Sequence, residues 1–155
     1  MTDYSLLEKQ LYALLEGETD TTAVLANAAS FIYNSMDGLN WAGFYLDRTG
    51  EELILGPFMG RPACVHIAFD RGVCGAAYSA NKTLVVPDVN DFPGHIACDC
   101  ASESEIVLPL YDAAGALIGV MDIDSPVKGR FTQTDAKGLE ALRDVIAARL
   151  VNGAR

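Results

Sequence analysis

At Asn40 the hydrophobic pattern of this chain changes period, and few folds accommodate the change. Upstream, Tyr4, Leu7, Leu11, Leu14 and Leu15 recur at the 3.6-residue spacing of a helix face, and Gly17 closes the segment. A second helix follows: Thr19, Asp20 and Thr21 can each cap it, and Val24, Leu25, Ala28, Phe31 and Ile32 share one side. It fades at Asp37-Gly38. Downstream the period is that of strands. Residues 41–46 and 52–59 form a hairpin around the turn Asp47-Arg48-Thr49-Gly50, and residues 105–111 and 116–124 form another around Asp112-Ala113-Ala114-Gly115. Between the hairpins, residues 62–69 read as a third strand, 74–79 as a short helix opened by Gly72, and 83–86 as a fourth strand stopped by Pro87. Residues 88–104 are too irregular for an element and too long for a simple turn, which marks a functional loop. After a cap at Thr132 or Thr134, a last helix buries Leu139, Leu142, Val145, Ile146 and Leu150.

Antiparallel hairpins with helices at both ends predict an α+β domain: a central antiparallel sheet of about six strands, helices on one face and the cysteine-bearing segments on the other. At 155 residues the chain has room for one such domain, and its 50% hydrophobic content excludes disorder as a global description. A net charge of -10 repels phosphate backbones and anionic lipid, so neither nucleic acid nor a membrane is expected as a partner. No basic leader and no long apolar run is visible, and the expected location is cytoplasmic. Thiols are kept reduced there. Cys64, Cys74, Cys98 and Cys100 are therefore buried bystanders, metal ligands or redox groups rather than permanent staples.

Strand alternation puts Cys64 and His66 on one face of the third strand. It sends Ile118, Val120, Asp122 and Asp124 to one face of the last strand and Leu117, Gly119, Met121 and Ile123 to the other. Two acids so placed repel each other unless a cation, a donor or solvent meets them, an arrangement suited to a substrate amine or to a solvated strand end. In the loop, His95-Ile96-Ala97-Cys98-Asp99-Cys100 sets a thiol beside a potential acid and base. Nearby acids would raise its pKa, so a thiolate there needs backbone donors or the substrate to stabilise it. Cys64-x-His66 and Cys98-x-Cys100 could supply zinc ligands, although one-residue gaps are not those of structural knuckles. Trp41 suits either a core or a ligand platform.

Taken together, Gly-Val-Cys-Gly-Ala-Ala (72 to 77), Pro-Gly-His-Ile-Ala-Cys-Asp (93 to 99), Ser-Glu-Ile-Val (104 to 107) and Gly-Val-Met-Asp-Ile-Asp-Ser (119 to 125) resemble the GAF-domain free methionine-(R)-sulfoxide reductases. The likeness runs from Asn40-Trp41 through the last helix and includes the gaps of 10 and 24 residues separating Cys64, Cys74 and Cys98. It implies a single GAF domain over residues 1–155 that reduces free L-methionine-(R)-S-oxide to methionine, with thioredoxin as reductant and no metal or organic cofactor. By the resemblance Cys98 is the catalytic thiol, Cys64 the favoured resolving thiol and Cys74 a possible second relay. Glu105, Asp122 and Asp124 match the family's carboxylates, with Glu105 and Asp124 favoured for the ammonium and the sulfoxide oxygen. Trp41 matches an aromatic that packs on the S-methyl group. Cys100 lies outside the usual three-thiol set: it is a spectator, or a competing resolver through a strained Cys98-x-Cys100 bridge. The likeness and the apolar faces of the first two helices lead us to expect a homodimer. The alternative from a different class is a GAF module that senses a small ligand without transforming it, and a third is a zinc-stabilised protein.

Overall fold

The computed structural model describes residues 1–94 and 101–155. The element order is α1 (Tyr4–Leu15), α2 (Thr21–Ser35), β1 (Trp41–Asp47), β2 (Glu52–Gly60), β3 (His66–Ala68), α3 (Gly72–Ala80), β4 (Leu84–Val86), a 3₁₀ turn at Val89–Asp91, β5 (Ser104–Tyr111), β6 (Leu117–Ser125) and α4 (Gln133–Ala147). The six strands form one sheet in the order β3-β2-β1-β6-β5-β4, every neighbouring pair antiparallel. This is the expected α+β architecture. Among the described residues no helix is long and apolar enough to cross a membrane.

Local chemistry accounts for the boundaries. The Asp3, Asp20 and Thr132 side chains accept from the backbone N–H of Leu6, Ala23 and Asp135, capping α1, α2 and α4. Asp135 returns the bond to the Thr132 N–H, which completes a capping box.

The sheet separates two cores. On one face α1, α2 and α4 cover Ala42, Phe44, Leu46, Ile106, Leu108, Leu110, Met121 and Ile123. On the other, α3 and the segment after β2 pack on Trp41, Tyr45, Leu53, Val107 and Val120. Strand alternation thus divides the larger core from the smaller.

Two irregularities change what the alternation predicts. Tyr111 pairs with Leu117 but Leu110 with Gly119, so Ile118 is an extra residue on β6 and joins the helix-side core instead of the face of the acids. On β2 the register against β1 slips between Gly43 and Tyr45, next to Pro57, which has no N–H for the ladder.

Three further expectations are corrected. The third strand is only His66–Ala68, because Pro62 cannot donate and the Arg61 and Cys64 carbonyls are taken by side chains. The presumed irregular loop contains the 3₁₀ turn, held where Val89 N–H donates to Glu103 O at 2.9 Å. Leu14 faces solvent, and Leu150 is buried beyond the end of α4.

Candidate active site

Antiparallel register builds a row of side chains across three strands. Trp41 on β1 lies opposite Asp124 on β6, and Asp124 opposite Glu105 on β5; in the next row Gly43 lies opposite Asp122 and Asp122 opposite Val107. Alternation sends Trp41, Tyr45, Glu105, Asp122 and Asp124 to the smaller core. All five are buried, the three acids at 7%, 5% and 8% exposure.

Cys74 enters this acid cluster from above. It stands in the first turn of α3, and a Cβ at Gly75 would crowd the Ala68 and Phe69 carbonyls, so glycine lets the helix settle onto the end of β3. Ligand atoms of Cys74, Glu105 and Asp122 lie within 4.8 Å of one another. The three carboxyls are in hydrogen-bonding reach of each other, and the Cys74 thiol in reach of Asp122.

Such a cluster cannot be fully ionised. Burial, and then the charge of Asp122, pushes the Glu105 carboxyl well above the usual carboxylate range; burial, and then Asp124, does the same to Asp122. Burial followed by the charges of Asp122, Glu105 and Asp124 raises the Cys74 thiol, so in this state it is a neutral S–H and a poor nucleophile. Cys98, for which such a rise is expected from the sequence, lies outside the described residues. Asp122 Oδ1 is buried with no hydrogen-bond partner among the described residues. An acceptor in that position calls for a donor or a cation.

Around the cluster, the Trp41 ring stacks near Tyr45 and Phe58 with centroids 5.9 and 5.2 Å away. Trp41 Nε1–H donates to Arg61 O at 3.1 Å and the Tyr45 hydroxyl to Cys64 O at 2.9 Å. Cys64 packs on the same core and is disulfide-bonded, whereas Cys74 is a free thiol. His66 does not share the site with Cys64: it is exposed and pairs with Glu52 at 2.8 Å. His95, Cys98, Asp99 and Cys100 lie outside the described residues. A divalent ion would find thiol and carboxylate donors at Cys74, Glu105 and Asp122, a set different from the one that the sequence spacing suggested.

The structure therefore brings together Trp41, Cys74, Glu105, Asp122 and Asp124, with Cys64 at the margin. Sequence reasoning passed over Tyr45, whose hydroxyl ends on the Cys64 carbonyl beside the cluster. Alternation from Trp41 through Gly43 could have found it, because that parity places position 45 on the acid face.

The GAF domain model matches residues 20–150, and the six-stranded sheet with its helices is that fold. A free methionine-R-sulfoxide reductase of Escherichia coli is 50% identical over 139 residues, spanning 90% of this chain and 83% of that protein. Protein YtsP of Bacillus subtilis is 53% identical over 149 residues, spanning 96% of this chain and 91% of that protein. The structure of fRMsr of Staphylococcus aureus in complex with substrate superposes with a TM-score of 0.90 at 47% identity, covering 97% of each chain. The chain belongs to the GAF-domain free methionine-(R)-sulfoxide reductase family.

Proposed function

We infer that this protein is an enzyme that reduces free L-methionine-(R)-S-oxide to L-methionine. The observation that carries the reading is the buried trio Glu105, Asp122 and Asp124 beside Trp41, with one oxygen of Asp122 lacking a partner among the described residues. A substrate ammonium supplies the missing positive charge, and one ammonium can donate three hydrogen bonds to such a set. A carboxyl that keeps its proton, Glu105 by its raised pKa, hydrogen-bonds the sulfoxide oxygen and makes sulfur more electrophilic. Trp41 offers an apolar surface to the S-methyl group, so the configuration at sulfur is read by shape.

Cys98 serves as the nucleophile. Its sulfur takes the oxygen from the sulfoxide, methionine leaves, and the thiol proton ends on the sulfenic acid. The Cys64 thiol then attacks that sulfur, a disulfide forms and water departs. Thioredoxin returns the pair to thiols and becomes oxidised itself, so the cycle needs no metal or organic cofactor. The whole chain acts as one domain, in the cytoplasm and as a homodimer. Cys74 is a reserve relay, and Cys100 a spectator.

The test is turnover with separated R and S sulfoxides of free methionine, coupled to thioredoxin and NADPH. The R form should be consumed, the S form and peptide-bound sulfoxide should not, and Cys98→Ser should abolish the reaction. Full rate in that variant would remove Cys98 from its assigned role.

A further inference from the structure

Trp41 and Tyr45 end in polar groups, and both direct them at the same short stretch of backbone: the indole N–H reaches Arg61 O and the phenol O–H reaches Cys64 O. The Cys64 disulfide tethers that stretch through its sulfur, but the sheet does not hold its backbone. Residues 61–64 belong to no strand, Pro62 has no N–H to give, and β3 begins only at His66. A backbone bond to the sheet returns where Leu55 N–H donates to Val65 O at 2.8 Å. The donors are rigid by comparison. Tyr45 is 2% exposed, lies in β1 inside the sheet and stacks on Trp41. Its hydroxyl is thus held at a fixed height above the sheet, and the carbonyl it grips belongs to the residue whose sulfur is in the disulfide.

We propose that Tyr45 is a positioning residue for Cys64: its hydroxyl fixes the Cys64 carbonyl, hence the direction of the Cα–Cβ bond and the approach of the sulfur. The inference rests on the reading above, in which Cys64 resolves a sulfenic acid. Disulfide formation needs the two Cα atoms within about 7 Å with their Cβ atoms turned toward each other, so a loosened segment reaches that geometry less often. In the step itself the Cys64 sulfur bonds to the sulfenic sulfur and the S–O bond breaks. Hydroxide leaves with the Cys64 proton as water, and no outside electrons are required.

Tyr45→Phe keeps the ring and its stack and deletes the hydrogen bond alone. Reduced enzyme is mixed with a small excess of methionine-(R)-sulfoxide without thioredoxin. After acid quench, methionine is quantified, and sulfenic acid trapped by a cyclic dione is separated from disulfide by mass spectrometry. The variant should release methionine at the wild-type rate yet form the disulfide about five- to tenfold more slowly, the factor carried by one hydrogen bond. Sulfenic acid should accumulate meanwhile. The disulfide equilibrium against dithiothreitol should move toward thiols by a similar factor. Disulfide formation at the wild-type rate overturns the proposal, as does equal slowing of methionine release, which would place Tyr45 in the first step. Absence of methionine release by the wild-type protein overturns the reading and this inference together.

Discussion

Glu105 and Asp122 sit where a folded protein rarely keeps a carboxyl: buried, beside each other, and facing a third acid. Their raised pKa values make stability depend on pH. Below the ordinary carboxylate range folded and unfolded chains both hold these protons, and the contribution is fully present. As pH rises, the unfolded chain releases them first, so stability drains away and is lost once pH has passed the raised folded values. Glu105→Gln and Asp122→Asn remove that dependence. Each variant should match the wild type near pH 3 and melt higher than it near pH 8, by about 2–4 °C for every kcal/mol regained, while losing sulfoxide reduction. Melting curves across that pH span test this, and a variant less stable at the alkaline end would contradict the assignment of strain to the acids.

Among the elements, the β1–β6–β5 ladder and helix α3 divide the work of assembling the site. Gly43 shows how tightly they are packed: a Cβ there would run into Phe58 and the Trp41 ring. Gly43→Ala should cost about 1–3 kcal/mol in denaturant titration, the usual penalty of overpacking. Since Trp41 is the only tryptophan, its fluorescence should shift in the same variant. An unchanged emission spectrum and midpoint would mean that the Trp41 ring and the Phe58 backbone yield without cost.

Much of this was legible beforehand. The helices with their caps, the two hairpins and the shared face of Asp122 and Asp124 all follow from local pattern. What local pattern could not carry were events set by a neighbouring element. The bulge that sends Ile118 into the helix-side core depends on how β5 pairs. The release of Cys64 from a strand depends on two side chains of β1. The arrival of Cys74 among the acids depends on how closely α3 can approach β3 at Gly75. Each is decided by contacts distant in sequence, which hydrophobic period does not encode.

At the scale of the molecule, the sheet is a partition. Among the described residues, three helices and the larger core lie on one side, and the nine-residue helix α3 and the candidate site lie on the other. The thin side has less to lose on opening. Native-state hydrogen exchange should therefore show the amides of α3 opening at lower free energy than those of α2 and α4, and equal protection would argue against two unequal halves.

The row Trp41, Asp124 and Glu105 also has a consequence for how this site can diverge. Adjacent strands stand about 4.8 Å apart whatever their side chains, so the interval between aromatic and acid is a lattice constant of the sheet. Substitution can alter what each rung presents, but not the distance from rung to rung. Accommodating a longer or shorter guest would demand a slip in strand pairing, which would turn every side chain of the shifted strand to the opposite face. Variation in selectivity is thereby channelled into the segments that roof the row, while the ruler beneath them stays fixed.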